Sequence, residues 1–115
     1  MKISMIKELL DAEVVCGEES LEKHVYSACG SDMMSDVLAF VKDQAVLLTG
    51  LVNSQVIRTA EMMDIEAIVF VRGKEPDDSI IGMAKMKDIL LMSTDYPLYI
   101  ASGILYTNGL TNQID

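Results

Sequence analysis

Ala67-Ile68-Val69-Phe70-Val71 is an unbroken apolar run that ends directly at the polar loop Arg72-Gly73-Lys74-Glu75-Pro76. Such a run, rich in β-branched side chains and bounded by Gly and Pro, predicts a strand that is buried on both faces. Strands of that kind occur in parallel sheets that carry helices on their faces. The stretch therefore predicts an α/β fold, a single compact domain over residues 1–115 with a mainly parallel sheet covered by helices.

The same alternation of strand and helix extends from this run toward both ends of the chain. Further strands are predicted at 13–16, 25–29, 45–49 and 89–92. Helices are predicted between and around them, with candidate N-terminal caps at Ser4, Asp32, Asn53, Asp77 or Asp78, and Asp95. The strand at 13–16 has the weakest signal, and it could pair antiparallel with 25–29 as a hairpin. The edge strands of the sheet stay open at this point.

Charge and composition restrict the classes of partner. The chain has 18 acidic and 9 basic residues, a formal charge of -9, and no cluster of Lys or Arg, so a nucleic-acid partner is excluded. The 50% hydrophobic content and mean hydropathy of +0.29 are high for a small monomer, and they predict a subunit interface. No run approaches the roughly 18 apolar residues of a membrane span, and no signal peptide is recognised. We therefore expect a cytoplasmic location and no membrane partner.

The chain offers few residues for catalysis or for metal binding. Cys16 and Cys29 fall in apolar runs and predict reduced, buried thiols, and with His24 they make only three scattered candidate metal ligands. His24 has no identifiable nucleophile or carboxylate partner, and no Gly-rich phosphate-binding motif with Lys occurs. We therefore predict no catalytic residues, no metal site and no cofactor. The alternative is an iron–sulfur cluster held by four cysteines of two copies.

Polar residues follow four of the predicted strands and form a candidate ligand site, because the carboxyl ends of parallel strands meet at one edge of a sheet. The candidate ligand-binding residues are Ser31, Asp32, Thr49, Arg72, Ser93 and Thr94. Backbone N–H groups and the Arg72 guanidinium could bind a small anion there. Structural interpretations compete with this one: Ser31 and Asp32 as helix caps, and Arg72 as a surface charge paired with Glu75 or Asp77.

A resemblance to a known family adds to this interpretation. The segment Gly30-Ser31-Asp32-Met33-Met34-Ser35-Asp36-Val37 resembles the SDLLSDV core of the DRTGG domain family. Residues 67–76 resemble the family's AIILVNGREPD segment, 89–95 resemble its IPILSTD segment, and 13–17 resemble its early strand and glycine turn. The likeness extends over about residues 4–110 in the family's order and spacing. It implies a fold similar to the non-catalytic N-terminal domain of HPr kinase, often dimeric, and implies no catalysis.

The tract that gives this family its name differs in the present chain. Tyr26-Ser27-Ala28 stands where the family has Thr-Gly-Gly, so two small side chains replace glycines that can adopt positive φ. If those glycines allow a ligand to approach closely, the same ligand is not expected here. If they only allow tight packing, Ser and Ala are adequate replacements.

Three functional hypotheses follow. The preferred one is a non-catalytic regulatory or protein-interaction module that forms a homodimer. Members of the family occur fused to CBS domain pairs, phosphotransacetylases and pyrophosphatases, and also alone near iron-only hydrogenase subunits, which implies an accessory role with a redox enzyme subunit as partner. The second hypothesis is a sensor that binds a small anionic ligand or nucleotide at the strand ends. The third is an iron–sulfur or thiol redox accessory protein.

Overall fold

A computed structural model describes residues 1–112 as a sheet with helices on both faces. The strands are β1 (Glu13–Cys16), β2 (Ser27–Gly30), β3 (Ala45–Thr49), β4 (Ala67–Phe70) and β5 (Leu90–Ser93). The helices are α1 (Ile3–Leu9), α2 (Met34–Phe40), α3 (Ser54–Met62), α4 (Asp78–Met86) and α5 (Leu98–Thr107), with a short 3-10 helix at Glu18–Ser20. No helix within residues 1–112 is long and apolar enough to span a lipid bilayer. The α/β prediction is confirmed.

The strand order is β1-β5-β4-β3-β2. β2, β3, β4 and β5 are parallel, so their carboxyl ends meet at one edge, whereas β1 is antiparallel to β5, with Glu13 opposite Ser93. The hairpin of β1 with β2 is therefore wrong, because these strands lie at opposite edges of the sheet. β5 is buried along most of its length and needs hydrogen-bond partners on both sides, and β1 supplies the second partner.

Two apolar layers enclose the sheet, one on each face. α1 and α5 cover one face, and α2, α3 and α4 cover the other. Every residue of β4 is fully buried: Ala67 and Val69 point into the first layer, and Ile68 and Phe70 point into the second. The prediction of a strand buried on both faces is confirmed, and β4 is the central strand of the sheet.

Two of the predicted helix caps are confirmed. The Asn53 side chain accepts a hydrogen bond from the Val56 N–H at the start of α3, and Asp77 does the same for the Ile80 N–H at the start of α4. Such caps satisfy N–H groups that have no partner within the helix.

The caps predicted for the first and last helices are wrong. Lys2 precedes α1, and the N–H groups of Ile3 and Ser4 donate instead to carbonyls of a distant segment, Lys23 and Leu21, at 2.9 Å each. Asp95 does not cap α5, because Pro97 occupies that position. Pro has a backbone suited to this place and lacks an N–H.

Tyr26-Ser27-Ala28, the tract that differs from the family pattern, includes the first two residues of the edge strand β2. Neither Ser27 nor Ala28 has positive φ, so an ordinary extended backbone is adequate at both positions. The backbone N–H and C=O of Ala28 face outward and pair with the side-chain amide of Asn112 at 2.8 and 2.9 Å. This amide occupies hydrogen-bonding groups that an exposed edge would otherwise offer to another strand.

Candidate functional site

A single carboxylate ties together the carboxyl ends of three neighbouring strands. Asp32 lies in the connection from β2 to α2, and its Oδ1 accepts hydrogen bonds from the Gly50 N–H at 2.6 Å and from Thr49 Oγ1 at 3.2 Å. Its Oδ2 lies 3.4 Å from Nη2 of Arg72, which follows β4. We call these four residues, Asp32, Thr49, Gly50 and Arg72, the Asp32 cluster.

The three donors of the cluster are held by their own elements. Thr49 is the last residue of β3 and is fully buried, and its hydroxyl also accepts from the Leu51 N–H at 3.1 Å. Arg72 has the left-handed φ of +59°, and its N–H donates to the Tyr96 carbonyl at 2.9 Å. The guanidinium lies directly over Gly50, where a Cβ would collide with it. Thr49, Gly50 and the Arg72 backbone are therefore positioned independently of the Asp32 side chain.

The environment of Asp32 favours the charged carboxylate. The hydrogen bond from the Gly50 N–H is the main reason that the pKa of Asp32 lies below its ordinary value, and partial burial opposes it. The Thr49 hydroxyl and the Arg72 guanidinium lower the pKa further. Because both side chains of the ion pair are almost half exposed, 43% for Asp32 and 47% for Arg72, water screens much of their attraction.

This lowered pKa predicts a stability change in acid. A carboxyl group whose pKa is lower in the folded chain stabilises the fold above its unfolded pKa of about 4, and this contribution is lost as the pH falls through the folded pKa. We expect the difference in the free energy of unfolding between the wild type and Asp32→Asn to be largest at pH 6–7 and to shrink below about pH 4. Urea denaturation at pH 7, 4 and 3 measures it. A difference that grows toward pH 3 would contradict the assignment.

Three of the six residues predicted for a ligand site come together in the cluster, namely Asp32, Thr49 and Arg72. The other three are engaged by nearby backbone. Ser31 Oγ accepts from the Met33 N–H at 3.0 Å, and Ser93 Oγ donates to the Lys74 carbonyl at 2.7 Å. Thr94 is buried, and its hydroxyl donates to the Leu10 carbonyl at 2.6 Å, toward α1 and away from the cluster.

Two of the structural interpretations need correction. Neither Ser31 nor Asp32 caps α2, because Met33 occupies the cap position and makes no capping hydrogen bond with its side chain. Arg72 pairs with Asp32 rather than with Glu75 or Asp77. The Gly50 N–H was missed as a participant in the site, although a glycine directly after a buried strand is the feature that could have indicated it.

The two cysteines lie on opposite edge strands, β1 and β2. Three strands separate them, so the distance is roughly 19 Å at the usual strand spacing, far beyond the reach of a disulfide. Burial raises the pKa of both thiols, and Asp36 raises that of Cys29 further, which disfavours the reactive thiolate. Cys16 is buried and Cys29 is partly exposed. Within residues 1–112, no three His, Cys, Asp or Glu side chains are grouped to hold a metal ion.

The surface of α5 is the second feature that can carry function. Its sequence, Leu-Tyr-Ile-Ala-Ser-Gly-Ile-Leu-Tyr-Thr, contains no charged residue. Ala101 and Leu105 pack into the core, whereas Tyr99 is 86% exposed, Tyr106 is 61% exposed and Ile100 is 44% exposed. A solvent-facing helix normally carries charged or polar residues on its outer side. We call the exposed side of α5, residues Tyr99, Ile100, Gly103 and Tyr106, the α5 face.

Comparisons with known proteins give a family and a structural neighbour. The sequence model of the DRTGG domain family matches residues 5–107. No functionally curated protein matches the chain. The chain is similar to the crystal structure of the CBS and DRTGG domains of the regulatory region of Clostridium perfringens pyrophosphatase, complexed with its activator diadenosine tetraphosphate. With a TM-score of 0.70 and 17% identity, this similarity covers 90% of the present chain and 45% of the clostridial chain, and it shows a shared fold.

Proposed function

Because the chain belongs to the DRTGG domain family, we propose that it is a non-catalytic regulatory or protein-interaction module that assembles as a homodimer through the α5 face. The clostridial neighbour, whose fold it shares, comes from the regulatory region of its enzyme, which supports a regulatory role. The observation that carries the dimer is the apolar, uncharged α5 face.

The charge of the chain supports a second copy as the partner of this face. Two copies that each carry a formal charge of -9 repel one another, and a surface without charged side chains minimises that repulsion. A two-fold dimer brings the same patch of both copies together. Gly103 lies between Tyr99 and Tyr106 on the helix surface, and a Cβ placed there would meet nothing within 4 Å, so the position leaves room for a side chain of the other copy.

Sedimentation equilibrium at micromolar concentrations tests the proposal. We expect the wild type to be a dimer, and we expect Tyr99→Asp to raise the dimer dissociation constant at least tenfold, about 1.4 kcal/mol. The physical reason is that each copy would bury an unpaired carboxylate. Tyr99 is mostly exposed and lies in the first turn of α5, where a carboxylate suits the helix dipole, so the fold of each copy is retained.

Met86→Asp is the matched control for the added negative charge. Met86 is 83% exposed on α4, which covers the opposite face of the sheet from α5. We expect this variant to sediment like the wild type. A monomeric wild type at several hundred micromolar, or equal weakening of association by both substitutions, would contradict the α5 dimer.

The Asp32 cluster supports a second candidate function, a sensor for a small anion. Its Arg72 guanidinium is half exposed at the edge where the parallel strands end, the usual place for ligands in such sheets. The clostridial neighbour was crystallised with an anionic activator, which supports the same candidate. Thermal unfolding in the presence of nucleotides and phosphoesters tests it, because a ligand at about 100 times its dissociation constant adds about 2.7 kcal/mol of stability.

A redox enzyme subunit as partner is proposed on the family resemblance alone. Coexpression with the subunits of an iron-only hydrogenase, followed by purification through a tag on this chain, tests it. We expect the hydrogenase subunits to be recovered in a fixed ratio to this chain. Recovery at the level of an untagged control would remove the redox association.

A further inference from the structure

We propose that Thr49, Gly50 and Arg72 form a binding site for a phosphoryl oxyanion, and that the Asp32 carboxylate is an intramolecular occupant of that site. The inference rests on the second candidate function, the anion sensor, and adds both the class of ligand and the means of control. It does not depend on the homodimer. A phosphate group would bind by displacing the Asp32 side chain.

The donor set is the first argument for the site. A backbone N–H, a hydroxyl and a guanidinium converge on the Asp32 carboxylate from Gly50, Thr49 and Arg72. These are the donor types that proteins use to bind phosphate oxygens, and an Arg guanidinium matches carboxylate and phosphate equally well. A group of donors that already binds one oxyanion can therefore accept another of similar size.

The second argument is that the backbone around the three donors does not need Asp32 to hold it in place. Gly50 and Thr49 are held by β3, and the Arg72 backbone is held by its hydrogen bond to the Tyr96 carbonyl. The hydrogen bond from the Gly73 N–H to the Thr94 carbonyl, at 2.8 Å, fixes the same turn. The Thr49 and Gly50 donors are therefore preorganised and lose little freedom when a ligand replaces the carboxylate, and the fixed Arg72 backbone keeps the guanidinium within reach of the same place.

The third argument is that a ligand can reach Asp32 and compete with it. Its side chain is 43% exposed, and it lies between β2 and α2 rather than inside either element. The turn that begins α2 is held separately, because Ser31 Oγ accepts from the Met33 N–H. Release of Asp32 would remove the side-chain contacts that join the β2–α2 connection to Thr49, Gly50 and Arg72, while the Ser31 N–H would still donate to the Leu48 carbonyl at 3.1 Å. Ligand binding would therefore loosen this connection at the edge of the sheet.

Amide NMR with inorganic phosphate as the probe tests the proposal, at constant ionic strength maintained with chloride. The Gly50 amide signal reports directly on the proposed site. We expect phosphate to shift this signal in Asp32→Ala with an apparent dissociation constant at least tenfold lower than in the wild type, about 1.4 kcal/mol. We expect Arg72→Ala, added to Asp32→Ala, to abolish this increase in phosphate affinity. A parallel titration with AMP distinguishes the source: tighter binding than phosphate indicates a phosphomonoester ligand, and equal binding indicates free phosphate.

Asp32→Asn serves as a second variant if Asp32→Ala does not fold, because it keeps the size of the side chain and removes its charge. The wild type gives a readout that needs no substitution, since high phosphate should shift the Gly50 signal where chloride does not. A Gly50 signal that phosphate leaves unchanged in every folded protein tested, or a shift that persists without Arg72, would overturn the proposal. Such a result would not decide the two proposed functions. The anion sensor is tested separately by thermal unfolding with nucleotides, and the homodimer by the sedimentation of Tyr99→Asp.

Discussion

Replacing Gly17 with alanine is expected to lower the free energy of unfolding by about 2–4 kcal/mol, because two penalties combine. Gly17 follows β1 with the left-handed φ of +83°, which strains any residue that has a Cβ. The added Cβ would also lie 2.7 Å from the Cα of Leu90, a fully buried residue of β5. Backbone in the sheet cannot yield as the end of a flexible side chain can, so the contact between β1 and β5 must open.

Gly82→Ala provides the matched control, since it makes the same chemical change where neither penalty applies. Gly82 lies in the middle of α4, and a Cβ there would meet nothing within 4 Å. We expect this substitution to raise the free energy of unfolding by about 0.5–1 kcal/mol, because alanine has a higher helix propensity than glycine. Urea denaturation at one protein concentration measures both variants. Equal denaturation midpoints for Gly17→Ala and the wild type would refute the packing described for β1.

Local sequence signals predicted the elements because those signals act over a few residues. The apolar run Ala67–Val71 predicted a strand buried on both faces, and this burial depends on composition that is visible in the run itself. Asn53 and Asp77 were recognised as caps because each accepts from an N–H only three residues further on. Information of this range is present in a single sequence.

Contacts between distant segments could not be predicted in the same way. The start of α1 is satisfied by the carbonyls of Leu21 and Lys23, so no local cap was needed and the Ser4 prediction failed. The paired residues of β1 and β5 are 75 to 80 positions apart in the chain, whereas the hairpin considered for β1 used its nearer neighbour. Strand pairing of this kind depends on which edge needs a partner, and the sequence of β1 does not contain that information.

The candidate site shows the same division between local and distant information. The candidate ligand site was expected at the carboxyl ends of the parallel strands, and Asp32, Thr49 and Arg72 do meet there. The capping interpretation of Asp32 is wrong. The groups that donate to its carboxylate lie 17 to 40 positions away in the chain, whereas a helix cap binds an N–H only a few residues further on. Thr94 follows the same strand end as Ser93, yet its side chain points to the opposite face of the sheet, where α1 packs.

Thr94→Val is expected to lower the free energy of unfolding by about 1–3 kcal/mol, the usual cost of leaving a buried polar group without its partner. The Thr94 hydroxyl donates to the Leu10 carbonyl at 2.6 Å and accepts from the Tyr96 N–H at 3.3 Å. Thr94 is only 2% exposed, so water cannot replace the lost hydroxyl at the Leu10 carbonyl. Valine has nearly the shape of threonine, and the effect therefore reports the hydrogen bonds rather than a cavity.

Thr94→Ser keeps the hydroxyl and removes only a methyl group, so we expect it to lower the free energy of unfolding by at most about 1 kcal/mol. The pair of variants also separates a structural role for Thr94 from a ligand contact. If the hydroxyl joins α1 to the sheet, Thr94→Val unfolds at a lower urea concentration than Thr94→Ser in the absence of any ligand. If the hydroxyl serves a ligand instead, the valine variant unfolds at the same urea concentration as the wild type without ligand. The two proteins then differ only in how much phosphate or a nucleotide raises that concentration. The hydrogen bond to Leu10 favours the first result, because that bond already uses the only proton the hydroxyl can donate.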